Sequence, residues 1–141
     1  MYNILFMTQR TKFKITIYLI LLIILVSMLI WWMIYNSGRS RDFERLADMK
    51  IIEAEMNNYY LKFNTYKIAD CPNDTAINFC VGKDSKVLEV SNIIDPLSQL
   101  NFQYVVRSLT DDDFQIDFAF EVGVGGLLPG NYSLTKQGIN K

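Results

Sequence analysis

The arrangement of apolar and polar positions divides the chain into an apolar N-terminal run and a longer region of mixed character. Residues 15–35 form 21 consecutive positions without a charged side chain. A helix over this run would be about 31 Å long, which matches the roughly 30 Å hydrocarbon core of a bilayer. Because a helix in a water-soluble core normally keeps a polar face, the run predicts one transmembrane helix.

Residues that prefer membrane interfaces stand at both ends of this run. The side chains that we expect at the two interfaces are Lys12, Lys14, Trp31, Trp32 and Tyr35. A cleaved secretory signal would have an apolar segment of about 7–15 residues and a cleavage site of small residues. The run is longer and ends in Asn36-Ser37-Gly38-Arg39, so we expect a retained single-pass anchor that contacts membrane lipid.

Charge is distributed unevenly about the anchor. The whole chain has 14 Lys+Arg and 15 Asp+Glu, but its first 35 residues contain three bases and no acid. Bases lie on both sides of the run, so their count alone does not orient it. The stub of residues 1–14, shorter still if Met7 is the first residue, is too small to fold, and both cysteines lie downstream. We therefore expect a cytoplasmic stub and an extracytoplasmic domain over residues 36–141.

After a predicted break at Asn36-Ser37-Gly38, apolar residues at steps of three and four predict a helix over residues 40–63, with Ser40 as its N-cap. The stripe consists of Leu46, Met49, Ile52, Met56, Tyr59 and Phe63. One long helix bent near Gly38 and two helices joined by a hinge both fit this pattern. In either case the segment nearest the membrane is a stalk.

Residues 64–96 lose this periodicity and predict a loop region, apart from a short strand candidate at residues 87–90. Cys71 and Cys80 are the only cysteines. Outside the cytoplasm, two cysteines at this spacing favour a disulfide, which would stabilise the domain by roughly 2–3 kcal/mol. The alternative is a pair of free, partly buried thiols.

Strict alternation of apolar and polar residues predicts a sheet over residues 102–136. Its strands are expected at residues 102–109, 114–122 and 132–135. Placing Val106 opposite Ile116 requires an odd number of residues in the connection, which Thr110-Asp111-Asp112 satisfies. An antiparallel sheet of three to four strands packed on the stalk helix would form a small α+β domain.

Composition narrows the chemistry of this domain. The chain has no histidine, which excludes Ser/His and Cys/His nucleophile pairs and histidine-ligated metals. Because the sequence shows no arrangement of nucleophile and base, we do not expect an enzyme. The region after the anchor is acidic and its aromatic residues alternate at core positions, so we do not expect a nucleic-acid-binding protein. The one metal candidate is calcium at Asp111, Asp112 and Asp113, because clustered carboxylates suit a hard cation. The alternative is a solvated hairpin turn without any cofactor.

The segment after the apolar run has the pattern R-D-x-x-R-x-A-D, which is formed by Arg41, Asp42, Arg45, Ala47 and Asp48. The predicted helix then reaches the pair Y-Y, and N-T-Y, D-P and G-N-Y-S-L-T-K-Q-G-I follow downstream in that order. These motifs resemble type IV pilin-like proteins, specifically the major pseudopilins of type II secretion. The resemblance covers most of residues 15–139.

The resemblance implies a pilin-like fold and a non-enzymatic filament subunit in a bacterial cell membrane, with its C-terminal domain periplasmic or extracellular. It implies as partners other copies of the chain or other pilin-like subunits, and indirectly an assembly platform and an ATPase. We expect Arg41, Asp42, Arg45 and Asp48 to contact neighbouring subunits or lipid phosphates. A solvated helix base with weak ion pairs is the alternative.

The resemblance does not extend to the N-terminus. The family has a glycine before a phenylalanine there and a glutamate five residues into the mature helix, whereas this chain has Lys12-Phe13-Lys14-Ile15 and no acid in residues 15–35. The difference supports a second hypothesis: a permanently anchored envelope domain that keeps the pilin scaffold, never polymerises and binds a ligand with its loops.

Overall fold

The computed structural model describes residues 2–80, 90–98 and 102–141, and the side chains from residue 11 onward. The chain forms two compact units, Met1–Ser37 and Gly38–Lys141. Its elements are α1 (Tyr2–Phe63), β1 (Thr75–Ala76), a short 3-10 helix (Ile77–Phe79), β2 (Val105–Leu109), β3 (Phe114–Phe120), β4 (Gly130–Thr135) and β5 (Gly138–Asn140). The strand candidate at residues 87–90 lies, except for Val90, outside the described residues.

The first unit is entirely helical in its described part. Within the described chain, α1 is the one helix long and apolar enough to cross a membrane, and none of its most apolar window is buried in protein. Residues 36–40 are also helical, so the predicted break and the N-cap at Ser40 are wrong. A cap is not needed there because the preceding turn supplies the carbonyl partners of the first amides.

The second unit is an α+β fold, as the sequence pattern predicts. Five antiparallel strands follow the order β1-β2-β3-β4-β5. One face of this sheet packs with the stripe of α1 in a continuous core. The fully buried members of that core include Met49, Ile52, Met56 and Tyr59 from the helix and Val106, Ile116 and Leu134 from the strands.

The pairing of β2 with β3 follows the predicted register in only one half. Val106 lies opposite Ile116, but a bulge between Val106 and Ser108 shifts the later pairs, so Leu109 lies opposite Phe114. A bulge adds one residue to one strand and reverses the parity of the connection. The connection therefore has four residues, 110–113, instead of the predicted three.

The sheet also has five strands where three to four were expected. β1 has two residues and β5 has three, and such short segments provide too few positions for alternation to be visible. β1 lies in the predicted loop region, near the disulfide that joins Cys71 to Cys80. Both half-cystines are buried among core residues.

Candidate functional site

A fully buried arginine lies on the sheet-facing side of α1. Arg45 donates from Nε and Nη2 to the two oxygens of Asp95 at 2.7 and 3.0 Å, a bidentate pair. Its Nη1 donates to Asp42 Oδ1 at 2.8 Å and to Glu121 Oε1 at 2.6 Å. Burial alone would lower the pKa of Arg45, but the three carboxylates raise it above its usual value, so the side chain is a permanent cation.

Asp42, one helical turn before Arg45, holds the start of the β3–β4 loop by its backbone. Its Oδ1 accepts the amide N–H of Glu121 at 3.0 Å, and its Oδ2 accepts those of Val122 and Gly123, both at 2.8 Å. Burial would raise the pKa of Asp42, but these amides and Arg45 lower it below its ordinary value. The carboxylate therefore stays ionised although it is fully buried.

Arg41 completes the group by forming a second bidentate pair. Its Nε and Nη2 donate to the two oxygens of Glu121 at 2.9 and 2.7 Å. The Arg41 pair lowers the pKa of Glu121, and Arg45 adds to the effect. We call Arg41, Asp42, Arg45, Asp95 and Glu121 the Arg45 cluster; its two bases and three acids join α1, the segment before β2 and the β3–β4 loop.

The ring of Phe102 covers the guanidinium of the cluster. The Cζ atom of Arg45 lies 4.7 Å from the centroid of the ring, within the range of a cation–π contact. One turn further along α1, the Tyr104 hydroxyl donates to Asp48 Oδ2 at 2.7 Å. Burial raises the pKa of the Asp48 carboxyl, so this neighbouring pair responds to pH in the opposite direction from Asp42.

The expected roles of these residues therefore need correction. Asp42 and Arg45 are not available to a neighbouring subunit or to lipid phosphates, since both are completely buried and bonded within the chain. They are also not part of a solvated helix base. Arg41 remains partly exposed, but its guanidinium is engaged by Glu121, and Asp48 is engaged by Tyr104.

Two members of the cluster were missed in the sequence. Glu121 continues the alternation of β3 at a position that predicts solvent exposure, and Asp95 lies in a region without periodicity. The only sequence signal for Asp95 was its place before Pro96. Neither pattern indicates which base an acid far along the chain will meet.

The side chains expected at the membrane interfaces lie on the surface of α1. Lys12, Lys14, Trp31, Trp32 and Tyr35 are all exposed. The rings of Trp31 and Tyr35 stack at a centroid distance of 5.9 Å, one turn apart, as expected for neighbours on one helix face.

Two of the three consecutive aspartates accept hydrogen bonds from protein donors through their side chains. Asp111 accepts the Thr65 hydroxyl at 2.9 Å and the Lys67 ammonium at 3.0 Å. Asp113 Oδ1 accepts the amides of Phe114 and Lys136. Among the residues that the structure describes, no three histidine, cysteine, aspartate or glutamate side chains are grouped to hold a metal.

A cavity of about 440 Å³ opens on the other face of the sheet. The residues that line it include Phe102 and Phe118 and the polar residues Gln103, Arg107, Asp117 and Asn131. Arg107 Nε donates to Asp117 Oδ2 at 2.7 Å, and Arg107 is also paired with Asp74. The cavity therefore offers oriented polar groups beside one apolar wall.

The two sites differ in what they can do. The charges of the Arg45 cluster are satisfied by one another. The cluster therefore holds α1, the segment before β2 and the β3–β4 loop together and presents no reactive group. The cavity is open to a ligand. Comparison of the chain with protein-family models, with curated proteins and with solved structures finds no match.

Proposed function

We propose that the chain is a membrane-anchored, non-enzymatic, pseudopilin-like structural or accessory subunit of a type II secretion or type IV pilus-like machine in the bacterial envelope. The observation that supports this best is the nature of α1. Its first part is apolar on all sides and unburied, while its second part supplies one wall of the core of an α+β unit. The order of motifs along the chain supports the same assignment.

In this proposal the helix over residues 15–35 anchors the chain and packs laterally, with the stub in the cytoplasm and the domain outside. Because the Arg45 cluster is bonded internally, contacts with neighbours belong to the outward face of α1. Its exposed residues include Phe43, Ala47, Ile51, Ala54 and Leu61. Such a row of small and apolar side chains at helical spacing suits packing against another helix.

Cysteine cross-linking in membranes of the native host tests this proposal. The native cysteines are joined to each other, so Ala47→Cys or Ala54→Cys introduces one free thiol on the outward face. We expect these variants to form cross-linked dimers on mild oxidation. Gln137→Cys, exposed in the β4–β5 turn, is the control and should stay monomeric. Equal behaviour of all three variants would contradict the proposed face.

The cavity on the outer face of the sheet favours a second candidate function. A permanently anchored envelope domain would use this cavity, with its aromatic wall and paired Arg107 and Asp117, to bind a polar ligand. The N-terminal residue of protein recovered from the host's membranes separates the two functions. A processed N-terminus together with cross-linking supports assembly, whereas an unprocessed one without cross-linking supports the permanent anchor.

A further inference from the structure

The loop between β3 and β4 has an unusual composition. Residues 122–130 read V-G-V-G-G-L-L-P-G, nine consecutive positions without a polar side chain. Leu128 is 68 % exposed, and Pro129 is exposed beside it. Exposed turns in water are normally built from residues with polar side chains as well as glycine and proline, and this loop lacks the polar side chains.

Part of the backbone of the loop is hydrogen-bonded within the protein. Val124 and Leu127 exchange two amide–carbonyl hydrogen bonds of 3.0 and 2.9 Å. Gly125 and Gly126 between them have φ values of 61° and 87°, which a tight primed turn requires. The amides of Val122 and Gly123 donate to Asp42. Because paired amides cost little to remove from water, these four positions oppose entry into an apolar layer only weakly.

The start of the loop packs at the beginning of the second unit. A Cβ atom added to Gly38 would lie 2.7 Å from Val122 Cγ2, so the side chain of Val122 rests against this glycine. A Cβ on Gly123 would lie 3.2 Å from Leu128 Cα, which places the exposed leucine next to Gly123. Leu128 therefore lies close to Gly38, where the domain's part of α1 begins, while Gly125 at the turn of the loop lies beside Leu46.

The domain's part of α1 follows directly on the membrane anchor. Gly38 is three residues after Tyr35 within α1, which is a rise of about 4.5 Å along a helix. The interfacial layer of a bilayer extends about 5–8 Å beyond each side of the hydrocarbon core. The loop therefore begins within reach of the lipid headgroups if the anchor ends at Tyr35.

A base lies beside the apolar tip. The Lys141 ammonium is 5.8 Å from the centroid of the Tyr132 ring, and the Tyr132 hydroxyl donates to the Leu128 carbonyl at 2.9 Å. Apolar side chains next to a lysine form the combination that binds the interface of an anionic membrane.

We propose that loop 122–130 is a second membrane contact of this chain, in which Leu128 and Pro129 enter the lipid interface next to the anchor and Lys141 meets anionic headgroups. The contact goes beyond the proposed function. It rests only on the anchoring of residues 15–35 and holds whether or not the protein polymerises.

Fluorescence quenching in proteoliposomes that contain the full chain tests this contact. Leu128→Cys is labelled with an environment-sensitive dye, and Pro129→Cys serves as a second labelled position. The matched control is Gln137→Cys in the β4–β5 turn. Lys136 of this turn bonds to Asp112 and Asp113 in the connection between β2 and β3. That connection also bonds to Thr65 and Lys67, which follow the end of α1. Phospholipids that carry a nitroxide at the headgroup or high on the acyl chain are the quenchers.

We expect strong quenching and a blue-shifted emission at positions 128 and 129, and neither at position 137. Equal quenching at all three positions, or none at 128 and 129, would overturn the proposal. The intrinsic fluorescence of Trp31 and Trp32 in the same vesicles reports the anchor separately. Quenched tryptophans with an unquenched loop dye would reject the loop contact alone, and unquenched tryptophans would reject the anchoring on which both proposals depend.

The charge of the lipid tests the role of Lys141. Replacing zwitterionic vesicles by vesicles that contain anionic phospholipid should increase quenching at position 128. Lys141→Gln should remove most of this increase, about a fivefold change in the insertion equilibrium, which is the effect of one base at an anionic surface. Lys50→Gln, an exposed lysine on the domain's part of α1, is the control. An equal loss in both variants would show that Lys141 has no specific place at the membrane.

Discussion

Arg45 shows how one side chain can fix the relation of three distant segments. A buried ion pair is weak evidence for stability, because desolvation of the charges offsets most of their attraction. Removal of Arg45 is different, because the buried carboxylates of Asp42 and Asp95 then have no cation beside them. Arg45 donates to Asp42, Asp95 and Glu121, so its loss would leave three acids together.

Replacement of Arg45 by methionine, which has a similar volume but no charge, should therefore lower the free energy of unfolding by about 3–5 kcal/mol. Urea denaturation of the full chain in detergent measures the change. Arg39→Met removes an exposed base from the same helix and should change the stability by less than about 0.5 kcal/mol. Equal effects of the two variants would mean that burial of Arg45 has no special energetic role.

Acid should unfold the domain through Asp42 and Glu121. Both carboxyls have pKa values below their ordinary 3.8 and 4.5, so they stabilise the fold at higher pH, and this stability is lost as the pH falls through their folded values. The free energy of unfolding, measured by urea titration at a series of pH values, should fall below about pH 4.5. Asp42→Asn should reduce the slope in that range.

Asp48→Asn provides the opposite control for this pH series. The pKa of Asp48 is raised by burial, so its carboxyl favours folding at low pH and opposes it as the pH rises through its folded value. The Asp48→Asn variant should therefore lack a gain in the free energy of unfolding on acidification, whereas Asp42→Asn should lack a loss. If both variants changed the pH profile in the same direction, the assigned environments would be wrong.

At the scale of elements, the contact between α1 and the β3–β4 loop depends on a glycine inside the helix. Glycine usually destabilises a helix by about 1 kcal/mol relative to alanine. Here it is needed, because a Cβ on Gly38 would lie 2.7 Å from Val122 Cγ2.

A double-mutant cycle tests this contact. Gly38→Ala alone should destabilise the protein by about 1 kcal/mol, because the overlap exceeds the gain in helix propensity. In a Val122→Ala background the same substitution should stabilise it by about 0.5–1 kcal/mol. Urea unfolding of the four proteins gives the coupling. Equal effects of Gly38→Ala in both backgrounds would place the side chain of Val122 elsewhere.

The disulfide holds the segment that leads from α1 to β1. Cys71→Ala with Cys80→Ala should lower the free energy of unfolding by roughly 2–3 kcal/mol, as the chain-entropy model gives for so short a loop. A reducing agent should produce a similar loss in the parent protein and none in the double variant. Stability that does not respond to the reductant in either protein would exclude the bond.

The elements also show how far sequence patterns reach. Alternation and helical periodicity place β3 and the core stripe of α1, because each is a local repeat that burial imposes. These patterns do not predict the bulge at Arg107 or the two short edge strands, because both depend on pairing between distant segments. The sequence patterns do not predict the Arg45 cluster for the same reason. The residues Arg41, Asp42 and Arg45 stand out in the sequence, but their partners Asp95 and Glu121 lie more than forty positions away.

At the scale of the whole molecule, the two units differ in what holds them. The apolar window of the first unit has no buried side chain, whereas the second contains the hydrophobic core, the disulfide and the Arg45 cluster. The second unit should therefore fold without the first.

Residues 38–141 expressed alone should be folded, with a melting temperature within about 3 °C of that of the full chain in detergent. Circular dichroism during heating measures this, and the Arg45→Met substitution in the shortened protein should lower its melting temperature as it does in the full chain. A shortened protein without a cooperative transition would show that the anchor contributes to the core.

The hold of Asp42 on the β3–β4 loop has a consequence for how this protein can change. The Asp42 carboxylate accepts hydrogen bonds from consecutive main-chain amides, and every residue except proline has such an amide. Apart from Glu121, side chains in the loop are therefore free to vary without loosening this attachment, provided that Gly123, with its φ of 95°, and the turn glycines Gly125 and Gly126 are kept. A loop attached in this way can acquire a new surface chemistry through single substitutions, while the fold beneath it and its point of attachment stay the same.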